Sequence, residues 1–193
     1  MSVFQKNVFT LVSGMKTMDA RTRIVETASR LFYTQGYNST GINQVIKEAE
    51  VAKASLYQYF PSKEDLLIEY LKETAATTNE MLLSVCDKYK TPREKVIGLF
   101  DFLLQFMKQS EFKGCNFLNV AAELPEGHPV VRALIKKQKN QTRSLFAGIL
   151  KPVGKEKLAD QLYLLFDAAL VSSKVYGDGW PIKTAGIIAV KLI

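Results

Sequence analysis

The chain has little of the chemistry that metal proteins and disulfide-rich domains need. Its 193 residues include two cysteines and one histidine, too few for a disulfide framework or a metal-ligand spacing. We therefore expect no metal and no cofactor. Cys115 follows Gly114 near a predicted helix start, where a thiolate is favoured. A redox switch and an inert buried thiol are the two interpretations of this residue.

Long apolar runs are also absent. No window approaches the roughly 18 apolar residues of a membrane span, and the run at residues 8–12 is too short for a signal-peptide core. We expect a cytoplasmic protein that does not bind membranes. Residues 1–18 form a tail of weak pattern, in which Met15 and Met18 are alternative translation starts to Met1.

Signatures of catalysis are missing as well. The sequence has no Gly-rich phosphate loop, no histidine paired with a nucleophile and no carboxylate pair at a catalytic spacing, so we do not expect an enzyme. Lysine and arginine outnumber aspartate and glutamate by 26 to 19, giving a net charge of +7. This excess favours a nucleic-acid partner. The densest basic run, residues 132–143, is more typical of a solvated helix face than of a DNA-binding surface.

Apolar residues recur throughout at helical spacing, and no strand-like alternation extends beyond a few residues. The sequence predicts an all-α fold of about nine helices. Ile24, Ala28, Leu31 and Phe32 form one apolar stripe on a first helix over residues 19–35, and Gly36 ends it. We divide the chain into a tail (1–18), an N-terminal three-helix domain (19–65) and a larger helical domain (66–193).

Two short helices follow the first, one beginning near Thr40, a candidate capping hydroxyl, and one ending at Pro61. Short helices joined by a three- or four-residue turn and braced by a longer helix form a helix-turn-helix, whose second helix enters the DNA major groove. At 100° per residue, Leu56 and Phe60 share one face and point inward. Ala54, Ser55, Tyr57 and Gln58 then point outward.

The motifs GYNST, SLYQYF and PSKEDLL support the same prediction. Together they resemble the DNA-binding domain of TetR-family transcriptional regulators, and GCNFLNVAAEL with HPVVR resembles the C-terminal domain of one branch of that family. The resemblance implies a homodimer that binds a palindromic operator as a repressor and is released by a small molecule. Two departures stand out: Glu50 replaces the usual turn glycine, which predicts a left-handed non-glycine residue, and Ile46 replaces a small alanine.

The resemblance also assigns residues to the DNA interface. Gln58 and Asn43 carry amides suited to base edges, while lysine, tyrosine and threonine side chains suit phosphates. Ser55 completes the set by facing the bases. Arg21 and Arg23 on the first helix are phosphate contacts or plain surface charges. The predicted phosphate contacts are Thr40, Lys53, Tyr57, Tyr59 and Lys63, with core packing as the alternative for the two tyrosines.

The larger domain is rich in aromatic residues, which predicts an apolar core and a ligand cavity within it. We expect the inducer to be a small apolar or aromatic molecule. The resemblance places the dimer interface on the helices at residues 128–150 and 155–175. Two alternatives remain. One is a DNA-binding protein of the same fold whose C-terminal domain binds a protein partner, and the other is a helical ligand carrier without a DNA function. The candidate ligand-binding residues are Phe102, Phe106, Phe117, Asn119, Glu123, Tyr163 and Phe166.

Overall fold

The computed structural model describes residues 19–109, 111–124 and 126–193. The predicted tail, with the alternative starts Met15 and Met18, lies outside the described residues, as does Pro125. Within the described part, nine α-helices and two short 3₁₀ turns account for the regular structure and no strand occurs. The predicted all-α class is therefore confirmed.

Four helices follow one another up to Cys86: α1 (Ala20–Thr34), α2 (Ile42–Glu48), α3 (Lys53–Tyr59) and α4 (Lys63–Cys86). Five more complete the chain: α5 (Pro92–Gln109), α6 (Asn116–Glu123), α7 (Pro129–Leu150), α8 (Ala159–Tyr176) and α9 (Trp180–Leu192). The 3₁₀ turns, Lys151–Val153 and Glu156–Leu158, lie between α7 and α8. No helix among the described residues combines the length and the apolar character that crossing a membrane requires.

Capping side chains explain where α4 and α5 begin. Ser62 and Asp65 form a reciprocal box, in which the Ser62 amide donates to the Asp65 carboxylate at 3.0 Å and the Asp65 amide donates to Ser62 Oγ at 3.1 Å. Thr91 and Glu94 repeat the arrangement at 3.0 and 3.2 Å. Each box satisfies two backbone donors that a helix start leaves without partners. Both helices begin directly after the first residue of their box, at Lys63 and at Pro92.

The chain divides into two compact units, one ending at Tyr70 and the other starting at Leu71. In the first unit, α1, α2 and α3 bury a shared apolar core that also includes the start of α4. Its fully buried side chains include Ile24, Val45, Leu56 and Leu66. The core of the second unit is formed by α5, α7, α8 and α9 together with the end of α4, and includes Leu99, Phe146, Leu162 and Phe166.

Candidate nucleic-acid interface

Helix α3 has one buried face and one exposed face. Leu56 is fully buried and Phe60, directly after the helix, is 4% exposed. The outward side carries Tyr57 and Tyr59, which are 41% and 43% exposed, and Gln58, which is exposed as well. The alternative interpretation, that the two tyrosines pack in the core, is therefore wrong. Two turns of helix anchored by Leu56 and Phe60 thus present polar and aromatic side chains to the surroundings.

Lys53 and Ala54 begin the exposed face of α3, and Ser55 lies at its half-buried edge. The Lys53 ammonium lies 6.0 Å from the centre of the Tyr57 ring. A cation this close to an aromatic face is attracted to its negative potential. The pair therefore keeps the lysine charge on the side of α3 that faces away from the core.

The turn between α2 and α3 contains a strained residue. Glu50 has φ = 53°, and it is the one non-glycine residue with positive φ in the part of the chain that the structure describes. The predicted left-handed residue at this position is confirmed. Such a conformation brings the Cβ atom close to the carbonyl oxygen and costs about 1–2 kcal/mol. The turn keeps its shape because other contacts stabilise it.

Arg23 supplies those contacts from α1. Its Nε donates to the carbonyl oxygen of Ala49 at 3.1 Å and its Nη2 donates to the carbonyl oxygen of Glu50 at 3.3 Å. One guanidinium thus holds two successive carbonyls of the turn. From the sequence, Arg23 was predicted to be a phosphate contact or a surface charge. Its contact with the turn could not be predicted, because residues 23 and 49 are far apart in the sequence and meet only in the tertiary structure.

Arg21 also has a partner within its own unit. Its guanidinium pairs with the Glu69 carboxylate and lies 5.6 Å from the centre of the Phe60 ring. The ion pair is half-buried. The contact joins α1 to α4 beside the end of α3, so Arg21 stabilises the helix-turn-helix.

Thr40 has a role different from the one predicted. It is 1% exposed, and its hydroxyl donates to the carbonyl oxygen of Gly36 at 2.7 Å. Gln35 Nε2 donates to the same hydroxyl at 3.2 Å. Thr40 therefore closes the loop before α2 and neither caps that helix, whose N-cap is Gly41, nor exposes its side chain for a phosphate.

Helix α2 contributes one exposed amide and one ordered network. Asn43 is exposed in its first turn. Beside it, Gln44 exchanges hydrogen bonds with Gln35 and donates to Glu48 at 2.9 Å. Glu48 also accepts from Arg30 of α1, and this hydrogen bond is the main cause that lowers the pKa of the Glu48 carboxyl. The network fixes α2 against α1 and leaves Asn43 projecting outward.

Lys63 is held in place at the start of α4. Its ammonium lies 4.2 Å from the centre of the Tyr37 ring, close enough for a cation–π attraction. Tyr37 is buried, and burial, with a smaller contribution from Glu64, raises the pKa of its hydroxyl. The lysine is half-buried, so its charge has a defined position.

The seven predicted ligand residues of the second unit are all buried or half-buried. Phe117 and Phe166 are buried, and Phe166 packs edge-on against the core rings of Phe100 and Phe146. Phe102 and Phe106 stack on α5 with their centres 6.2 Å apart. Phe102 and Tyr163 also pack against the core, as half-buried side chains.

The polar members of that set lie on α6 and α8. Asn119 donates to the Lys113 carbonyl at 2.8 Å and accepts from Lys174 at 2.7 Å, and Glu123 is half-buried. The pKa of the Tyr163 hydroxyl is raised by burial and by its hydrogen bond to Asp167. The bonds of Asn119 give this residue a structural function that the sequence did not reveal.

Cys115 precedes α6 and is half-buried. The Lys139 ammonium donates to its sulfur at 3.2 Å and to the Asp167 carboxylate at 2.9 Å. Burial alone would lower the pKa of Lys139, but Cys115 and Asp167 together raise it. These contacts tie α7 to α8 and to the start of α6, and the redox role of Cys115 stays a hypothesis. Elsewhere, no three potential metal ligands cluster among the described residues.

Comparison with known proteins agrees with this geometry. The family model for bacterial regulatory proteins of the tetR family matches residues 24–70, which span α1 to the first part of α4. The chain is also 32% identical over 155 residues to the HTH-type transcriptional regulator YxaF of Bacillus subtilis, covering 79% of this chain and 81% of YxaF. The chain belongs to the TetR family.

Two further likenesses cover nearly the whole of this TetR-family chain. It is 24% identical over 180 residues to the HTH-type transcriptional repressor NemR of Escherichia coli, covering 86% of this chain and 90% of NemR. The crystal structure of SCO4454, a TetR-family regulator from Streptomyces coelicolor, superposes with a TM-score of 0.81 at 26% identity, covering 94% of this chain and 91% of that one. The protein is thus a DNA-binding transcriptional regulator with the TetR fold.

Proposed function

We propose that this TetR-family protein is a homodimeric repressor that binds a palindromic operator and is released from it by a small apolar or aromatic ligand. The observation that carries the proposal is the exposed polar face of α3, held outward by the buried anchors Leu56 and Phe60. A major groove about 12 Å wide admits one such helix. The name of the relative NemR, a repressor, supports the direction of regulation. Because a bacterial regulator meets chromosomal DNA in the cytoplasm, we place the protein there.

The exposed side chains divide by chemistry into two groups. Gln58 and Asn43 present amides that can bond an adenine edge at two points, and Ser55 lies beside Gln58 on the leading turns of α3. Lys53, Tyr57, Tyr59 and Lys63 suit phosphate oxygens, which position a protein without reading sequence. Thr40 leaves this group because its hydroxyl bonds Gly36 inside the loop.

The dimer interface that we propose lies on α8 and α9. Large apolar side chains are exposed on these two helices, among them Leu164 (63%), Val175 (74%) and Ile187 (59%). Large apolar side chains exposed together commonly mark an interaction surface, and a two-fold dimer would bury those of one copy against those of the other. On α7, by contrast, Val130 is the one large apolar side chain that is exposed among the described residues. We therefore propose α9, in place of the helix at residues 128–150, as one half of the interface. The other half is α8, as the sequence predicted.

Ligand release would act through the spacing of the two α3 helices in the dimer. Half-sites one helical turn apart require recognition helices about 34 Å apart. Helix α4 runs without interruption from Lys63, in the first unit, to Cys86, in the second. A ligand that favours a dimer with a different spacing would lower operator affinity by a coupling of roughly 1–3 kcal/mol.

The test is footprinting on DNA that flanks the protein's own coding region, followed by titration of the protected segment at fixed salt. We expect a two-fold symmetric footprint and an affinity that falls when a cognate ligand is added. An asymmetric footprint would contradict the dimeric operator, and a bound ligand that leaves operator affinity unchanged would contradict release.

A further inference from the structure

An open groove of about 730 Å³ lies between the second half of α4 and α7. Its lining on α7 extends from Ala133 to Leu145, which at 1.5 Å per residue is about 18 Å. Leu82 and Leu83 of α4 form the opposite wall. Its volume falls within the range of small-molecule sites, and none of the predicted ligand residues lines it.

A single side-chain hydrogen bond bridges the two walls in the described part of the chain: Asn79 Nδ2 donates to Gln141 Oε1 at 3.0 Å. Apolar side chains, Leu82, Leu83 and Leu145, provide the inner surface, and Leu83 is 51% exposed there. Burying such surface releases about 25 cal/mol per Å². The groove therefore favours an elongated apolar occupant.

The charges around the groove are of one sign. Among the described residues that line it, Lys136 and Lys137 are basic and none is acidic. Both lysines are exposed, and because they are neighbours on α7 they flank the line of Ala133 and Asn140 on opposite sides. Two ammonium groups beside this apolar groove attract the anionic group of a molecule whose apolar part lies in the groove.

From the volume, the apolar walls and the paired lysines, we propose that this groove binds a small carboxylic acid with an elongated apolar body, its carboxylate held by Lys136 and Lys137. We further propose that this acid is the ligand that releases the protein from its operator. This regulatory role rests on the proposed function, whereas binding in the groove does not. An occupant would contact α4, the helix that begins at Lys63. It would also compete with the hydrogen bond between Asn79 and Gln141.

The experiment compares dodecanoate, below its aggregation concentration, with uncharged dodecanol, by calorimetric titration of the full chain at one ionic strength. The double variant Lys136→Gln/Lys137→Gln should bind dodecanoate about tenfold more weakly and dodecanol as the unchanged protein does. The control double variant Lys151→Gln/Lys157→Gln removes the same charge from exposed positions outside the groove. It should keep the original affinity for both.

A second variant tests whether the ligand lies in the groove. Ala133→Phe fills the groove from an exposed helix position and should weaken both ligands at least tenfold, whereas Ala122→Phe on α6 should not. Equal dodecanoate affinity in the lysine double variant and its control, or unchanged binding to Ala133→Phe, would overturn the proposal. A change of oligomeric state in Ala133→Phe would overturn it too, by assigning the groove to a contact between copies.

The operator titration separates this inference from the proposed function. Charge-dependent dodecanoate binding with unchanged operator affinity would support the groove site and contradict release through it. No binding in the groove, together with release by another ligand, would overturn the groove site and support the repressor.

Discussion

Glu50 is a non-glycine residue in a left-handed backbone conformation, which favours glycine. The residue has φ = 53° and is exposed, so its side chain contributes no buried contact that a substitution would remove. Glycine adopts positive φ without a steric penalty. Arg23, whose guanidinium bonds the carbonyls of Ala49 and Glu50, offsets the strain in the present sequence.

We therefore predict that Glu50→Gly raises the free energy of unfolding by about 1 kcal/mol, since relief of the left-handed strain exceeds the entropy that glycine adds to the unfolded chain. Urea denaturation followed by circular dichroism measures the change. Glu126→Gly, an exposed turn position without positive φ, is the control and should not stabilise. A loss of stability in Glu50→Gly would show that the glutamate side chain itself stabilises the turn.

Arg23→Ala should lower the free energy of unfolding by about 1–3 kcal/mol, because two carbonyls of the turn lose a charged donor. Operator affinity should fall, while the slope of log affinity against log salt should stay unchanged. A phosphate contact would instead reduce that slope by about one. Titrations at four salt concentrations distinguish the two roles, and a reduced slope would mean that Arg23 contacts DNA.

At the scale of elements, the proposed function gives α3 and the start of α4 different roles in DNA recognition. Gln58→Ala should relax sequence preference at one operator position, by about 1–3 kcal/mol. Lys63→Ala should weaken binding to all sequences alike and reduce the salt slope by about one. Competition titrations with operator variants measure both. If Lys63→Ala changed the preference and Gln58→Ala did not, the two roles would be reversed.

Local signals in the sequence predicted most of these elements. The Ser62 and Thr91 boxes, Gly36 with φ = 94° and the stripe on α1 each arise from residues within a few positions of one another. Interactions between distant segments could not be predicted in this way. Thr40 looked like a capping hydroxyl, but the loop folds its side chain inward, and Arg23 reaches a turn 26 residues away.

The larger unit shows the same limit for its binding surfaces. An aromatic composition predicts a core, but which rings are fully buried depends on how the helices pack, so the predicted ligand residues include both buried and half-buried side chains. Likewise, α9 could be predicted as a helix, while its exposed apolar face follows only from the packing of its other side, with Ile182 and Ala189 buried. Only the tertiary structure separates core side chains from those left for a partner.

At the scale of the whole molecule, the apolar face of α8 and α9 should determine oligomeric state. Leu164→Glu introduces a charge at a 63% exposed position on α8 and should convert the dimer to monomers, since an unpaired buried charge opposes association. Sedimentation velocity measures the change. Val153→Glu, at a 50% exposed position in the 3₁₀ turn, should remain dimeric. Dimers in both variants would place the interface elsewhere.

Hydroxyl-radical footprinting of the operator by the unchanged protein tests the central claim most directly, since a dimer that inserts two α3 helices must protect two segments. We expect two protected segments related by a two-fold axis, with centres about 10 base pairs, or a multiple of one helical turn, apart. The Leu164→Glu monomer should lose this pattern at the same concentration. One asymmetric segment, or equal protection by the monomer, would contradict a dimer that reads DNA through α3.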